Sequence, residues 1–124
     1  MKVAIAVREE EVATTFDFAR QILVVESQGG KEVCRTRFAV EETSPVHRVR
    51  RLAQLGVQVL ICGAISRLLA ARIVESGIQV FPLVSGEIGD VLAAFLTDQL
   101  AHPRFLLAGC TPKDREDLIL HERA

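Results

Sequence analysis

A thiol and a glycine at the end of an apolar run are the residues of this chain best placed to do chemistry. Val57-Gln58-Val59-Leu60-Ile61-Cys62-Gly63-Ala64 leads through Ile65 into Ser66, a helix-capping residue. A run with little alternation reads as a strand buried on both faces, as in the middle of a parallel sheet. Its carboxyl end would deliver Cys62, Gly63, Ala64 and the first N–H groups of a helix to one place. A thiolate gains from the positive end of a helix. A second glycine turn, Val84-Ser85-Gly86, leads into another helical pattern. Side by side, the two turns would form a crevice suited to a phosphate, a carboxylate or an anionic metal–sulfur cluster. The segment after the first strand, with Phe16 and Asp17, would hang over the same edge. The competing reading of Cys62 is a small buried apolar residue, the usual fate of a free cysteine.

The elements that must position these residues follow from the period of the apolar pattern. Lys2–Val7 makes a first strand, with Val3, Ile5 and Val7 on one face and Ala4 and Ala6 on the other, where a helix can pack closely. Gln21–Glu26 makes a second strand, and Ser27-Gln28-Gly29-Gly30 carries turn chemistry. Residues 31–40 alternate, with Cys34, Thr36, Phe38 and Val40 facing one way and Arg35 and Arg37 the other. That pattern predicts a half-buried edge strand with Cys34 as a structural residue remote from the crevice. Ser44-Pro45 opens a helix that Gly56 ends. Its expected buried stripe is Val46, Val49, Leu52 and Ala53, with Arg48, Arg50 and Arg51 mostly off it. Ser66 caps the next helix, which packs Leu69, Ala70 and Ile73 inward and stops at Gly77. Residues 78–83 form a fifth strand ending at Pro82. A third helix spans Glu87 to Leu100, with Ile88, Val91, Leu92, Phe95 and Leu96 as its stripe, and Pro103 stops it.

Strand and helix therefore follow in the order β-β-β-α-β-α-β-α. With right-handed crossovers this predicts an α/β fold, a five-stranded mixed sheet of order 3-2-1-4-5 with the first strand central and helices on both faces. This is the ribonuclease H-like arrangement. Residues 1–100 form a single domain. Residues 101–124 are a C-terminal tail that packs on it or extends from it, with an apolar patch at Phe105-Leu106-Leu107 and a short helix after Thr111-Pro112.

Composition narrows the function. Sixteen acids against fifteen bases in 124 residues leave a net charge of −1, which argues against a nucleic-acid partner. No apolar run reaches the ~18 residues of a membrane span. Cys34, Cys62 and Cys110 are far apart and form no CxxC pair, as expected of reduced thiols in a cytoplasmic protein. The first strand has no carboxylate, so the two-metal chemistry of a ribonuclease H-type nuclease is excluded. His47, His102 and His121 have no evident route to Cys62, so a Cys-His nucleophile is not supported.

Several segments together carry a resemblance. Met1-Lys2-Val3-Ala4-Ile5-Ala6-Val7, Phe16-Asp17-x-Ala19-Arg20, Leu60 to Ser66, the glycine-proline-glycine pattern from Gly77 through Pro82 to Gly86, and Pro103 to Cys110 resemble the dinitrogenase iron–molybdenum cofactor biosynthesis family. The likeness covers nearly all of residues 1–110. It implies a cytoplasmic, non-enzymatic carrier or scaffold for an anionic metal–sulfur cluster, iron–sulfur or molybdenum-containing, that works with a cluster donor or acceptor protein. The expected binding residues are then Phe16, Asp17, Cys62, Gly63, Ala64, Ser85 and Gly86, with Cys62 and Cys110 as metal ligands. Two departures stand out. Several members carry a histidine just before the first-loop phenylalanine, where this chain has Thr15. Many end in a Gly/His/Cys-rich tail, where this chain has Lys113-Asp114-Arg115-Glu116-Asp117. A regulatory or interaction domain of the same fold without a cofactor is the alternative, and a homodimer stays open.

Overall fold

In the computed structural model, which describes residues 1–41 and 44–123 with side chains as far as Leu118, the alternation at the N-terminus becomes the central strand β1 (Lys2–Arg8). His121 therefore lies outside the described side chains. A two-residue strand, β2 (Glu11–Val12), folds back on the end of β1, pairing Val7 with Val12 and Arg8 with Glu11. Next come β3 (Gln21–Gln28) and β4 (Lys31–Ala39), joined through Gly29 and Gly30 at φ 59° and 78°. The chain continues as α1 (Pro45–Gln54), β5 (Val59–Ile61), α2 (Arg67–Glu75), β6 (Gln79–Phe81) and α3 (Ile88–Leu96). A 3-10 turn at Pro103–Phe105 and a last helix, α4 (Pro112–Arg123), complete it. The sheet runs β4-β3-β1-β5-β6, with β3 antiparallel to β1 and to β4, and β1, β5 and β6 parallel. It has six strands rather than the five expected, because β2 is too short to show any period.

Each face of β1 feeds its own core. Ala4 and Ala6 lie with Phe16, Leu52, Leu60, Cys62, Leu69 and Ile73, so small side chains admit α1 and α2 closely on that face. Val3, Ile5 and Val7 lie with Ile61, Val84, Ile88, Val91, Leu92 and Phe105 under α3. Among the described residues no helix is long and apolar enough to cross a membrane.

Two expectations need correction. Arg48 was placed off the buried stripe of α1, yet it is 3% exposed while Val46 is 45% exposed. Its guanidinium donates to two loop carbonyls, which satisfies a buried cation that would otherwise be costly. The β4 face with Cys34 was expected to be half-buried. Phe38 is half-buried under Arg51, but Cys34 and Thr36 are exposed. The ladder slips at Glu26/Ser27, leaving Val33 without a partner, and Arg35 binds Glu32 at 2.6 Å. A bulge and fixed charges of this kind blunt a free sheet edge.

The tail is tied to the sheet. Phe105 is buried, Leu107 N–H donates to the Leu83 carbonyl at 2.8 Å, and α4 packs on α2. From α4, buried Arg115 donates to the carbonyls of Pro82 (2.7 Å) and Leu83 (3.0 Å) and stacks over Phe81 at 4.7 Å.

Candidate functional site

The crevice expected at the ends of β5 and β6 is filled by the chain itself. A Cβ on Gly63 would meet the Ala13 and Thr14 carbonyl oxygens at 2.5 and 2.6 Å, so glycine is required for the loop after β2 to lie against β5. The loop is then bonded in place: Ala64 N–H donates to Thr14 O and Phe16 N–H to Ala64 O, both at 2.8 Å. Phe16 is fully buried, and Arg48 Nη1 donates to Phe16 O (3.1 Å) and Ala19 O (2.9 Å). Asp17 Oδ1 accepts from Ser66 N–H at 2.9 Å. The protein's own carboxylate thus occupies the start of α2, where the sequence reading placed an external anion. At the second turn, Val12 N–H donates to Gly86 O at 3.0 Å, while Ser85 donates its N–H to Phe105 O (2.8 Å) and its hydroxyl to Leu106 O (3.3 Å). The structure brings Phe16, Asp17, Gly63 and Ala64 together around Cys62, as packed backbone. Ser85 and Gly86 are engaged by the tail and by β2.

Cys62 is completely buried, and its N–H donates to Phe81 O at 3.1 Å. Burial pushes its thiol far above the ordinary range, and the nearby Asp17 carboxylate pushes the same way. While the loop lies on β5 the sulfur is enclosed, with none of its surface open to a metal ion. Cys110 is half-exposed on the turn before α4, with its N–H on Leu107 O at 3.0 Å. Among the described residues no three His, Cys, Asp or Glu side chains gather as a metal site.

An open cleft lies beside this plug. It has a volume of about 700 Å³, and Arg8, Glu9, Thr14, Thr15, Phe18 and Arg20 line it. A second hollow of about 530 Å³ shares Phe18 and Arg20 and runs on toward Val40 and Glu41. Strand register gathers the charge: Val7 pairs with Gln21, so Arg8 at the end of β1 and Arg20 just before β3 reach the same sheet edge, where both line the cleft. Both are exposed, and among the described residues neither is in an ion pair. Like charges on neighbouring strands repel, and an anion between them would relieve that. Glu9, at φ 56°, is held by an Arg37 bond to its carbonyl at 3.0 Å. Thr15 faces this same cleft. Phe18 is 79% exposed. Sequence reasoning placed the loop at this edge but did not name Arg8, Thr14, Thr15, Phe18 or Arg20 as site residues. The available signal was the pair of arginines bracketing one loop between antiparallel strands.

Comparison with known proteins gives a consistent picture. The family model for the dinitrogenase iron-molybdenum cofactor matches residues 1–98. No curated protein matches the chain. Among solved structures, the protein PH0822 is similar at 22% identity and a TM-score of 0.76, over 80% of this chain and 91% of that one. A Methanocaldococcus jannaschii protein provisionally called a dinitrogenase is similar at 15% identity and a TM-score of 0.67, over 80% and 90%. A Thermotoga protein provisionally called a NifB protein, of the DUF35 family, is similar at 20% identity and a TM-score of 0.61, over 79% and 89%. At these identities the structures speak for a shared fold.

Proposed function

Because the chain belongs to the dinitrogenase iron-molybdenum cofactor family, we propose that it is a non-enzymatic carrier or scaffold domain, of ribonuclease H-like topology, that holds an anionic metal–sulfur species between Arg8 and Arg20. The observation that carries this reading is that two exposed arginines, neither in an ion pair among the described residues, line one cleft of about 700 Å³. Guanidinium groups suit such a cargo because they stay charged at every relevant pH and offer several donors in a plane. Thr14 and Thr15 add hydroxyl donors, and the Phe18 ring supplies an apolar wall. Hold is electrostatic, with Cys62 serving the fold and not the cargo. That arrangement also suits a member with threonine where others have histidine. Three free cysteines among the described residues accord with work in the cytoplasm.

The experiment is anaerobic loading with tetrathiomolybdate, followed by gel filtration. The chain has no Trp and no Tyr, so a bound chromophore stands out in the near ultraviolet and visible. Wild type and Cys62→Ala should both retain colour. The double variant Arg8→Glu/Arg20→Glu should lose at least tenfold in affinity, with its unfolding temperature unchanged. Loss in Cys62→Ala with full retention in the arginine variant would overturn the assignment. Absence of any retention by wild type would favour the interaction-domain alternative.

A further inference from the structure

Three exposed apolar side chains stand at one end of the molecule, each beside an arginine that is unpaired among the described residues. Phe18 is 79% exposed, with Arg20 two residues on; Val46 is 45% exposed, with Arg50 one turn along α1; Leu68 is 60% exposed, with Arg72 one turn along α2. Residues four apart on a helix share a face, so α1 and α2 each present an apolar tip and then a cation. The three tips belong together. Arg48 bonds the start of α1 to the carbonyls of Phe16 and Ala19, and Asp17 bonds the start of α2 through Ser66. Phe18 therefore sits between two helix starts that lie against one face of the sheet.

Charge is segregated here. The chain as a whole carries −1, yet α1 contains no acid and α2 only Glu75 in its last position. The ion pairs among the described residues use Lys2, Arg35 and Arg37 and leave this face untouched.

We propose that this face docks an acidic protein segment carrying a row of apolar side chains, such as an amphipathic helix rich in glutamate and leucine. An apolar centre with a charged rim is the anatomy of a protein interface, and a helix laid across α1 and α2 would meet Val46 and Leu68 with its apolar stripe. Its carboxylates would meet Arg20, Arg50 and Arg72. A second copy of this chain does not fit, because two-fold pairing sets arginine against arginine. Nucleic acid would use the cations and could stack a base on Phe18, but it leaves the aliphatic tips Val46 and Leu68 unmatched. Phe18 and Arg20 also line the cleft, but Val46, Arg50, Leu68 and Arg72 lie outside it, so variants there separate this proposal from the cargo reading.

The test is a titration of the isotope-labelled full chain, followed by amide chemical shifts. The probes are a synthetic helical peptide of leucine and glutamate at amphipathic spacing, the same peptide with lysine for glutamate, phosphatidylglycerol vesicles, and a single-stranded oligonucleotide. The glutamate peptide should shift residues 17–20 and the first turns of α1 and α2. Arg50→Glu/Arg72→Glu and, separately, Leu68→Asp should weaken it at least tenfold. Both variants should keep the wild-type unfolding temperature and the wild-type affinity for tetrathiomolybdate. Equal response to the lysine peptide, no response at all, or tighter binding of vesicles or oligonucleotide at the same residues would overturn the proposal.

Discussion

Replacing Gly63 by alanine should be among the most damaging single-methyl changes in this protein. The added Cβ would lie 2.5 Å from Ala13 O, 2.6 Å from Thr14 O and 2.8 Å from Thr14 C, all backbone atoms that no side-chain rotation can move. The loop must lift off β5. Overpacking of this kind costs about 1–3 kcal/mol. Two bonds are then strained, Ala64 N–H to Thr14 O and Phe16 N–H to Ala64 O, each contributing about 1 kcal/mol. The sum is roughly 3–5 kcal/mol, which for a domain of this size is a fall in Tm of roughly 12–20 °C. Gly89→Ala is the matched control. It sits in α3 with nothing within 4 Å of an added Cβ and no positive φ, so it should gain about 0.5–1 kcal/mol. Urea unfolding followed by far-ultraviolet circular dichroism measures both, since the chain has no Trp or Tyr to report by fluorescence. A Gly63→Ala protein within 1 kcal/mol of wild type would mean that the loop does not lie on β5, and the closed crevice would have to be abandoned.

Other outcomes follow from the same geometry. Native thiol labelling should modify exposed Cys34 first and half-exposed Cys110 next, reaching Cys62 only on unfolding; early labelling of Cys62 would contradict its burial. Since the folded thiol of Cys62 is raised, its contribution to stability is complete below the unfolded thiol value near pH 8.5 and is lost as pH rises above it. The stability of wild type should therefore fall about 1.4 kcal/mol per pH unit more steeply than that of Cys62→Ala above that point, and parallel profiles would refute the shift. Arg48→Met should cost roughly 2–4 kcal/mol, because two buried carbonyls lose charged donors; a neutral result in thermal unfolding would remove Arg48 as the clamp on the loop. Phe18→Ala should leave stability within about 0.5 kcal/mol while weakening retention of tetrathiomolybdate in the gel-filtration assay.

Mixed α/β architecture was legible because its signals are local. The valines and isoleucine of β1 alternate with two alanines, and Ser66 and Gly77 bracket α2. What escaped the sequence was set by contacts between distant segments. Strand β2 is two residues long and exists because Val12 finds Val7 and Gly86. Arg48 looks like a surface cation on a helical wheel, and only the folded loop supplies the carbonyls that let it be buried. Cys34 alternates with Phe38 and Val40 as a core residue would, but it lies exposed at the rim of a hollow that the end of α1 only borders. The anion crevice was read from two glycine turns that do converge. Its filling by Asp17 on one side and by Phe105 and Leu106 on the other is a tertiary fact. Arg8 and Arg20, twelve positions apart in the chain, come to line one cleft only through the β1–β3 pairing.

The central claim is that charge in the cleft, and not a cysteine, holds the cargo. Crystals of the protein loaded anaerobically with tetrathiomolybdate, measured at the molybdenum absorption edge, locate the metal directly. The account predicts an anomalous peak in the cleft between the Arg8 and Arg20 guanidinium groups, beside Phe18 and with no protein sulfur within bonding distance. A peak bonded to the sulfur of Cys62 or Cys110 would contradict it.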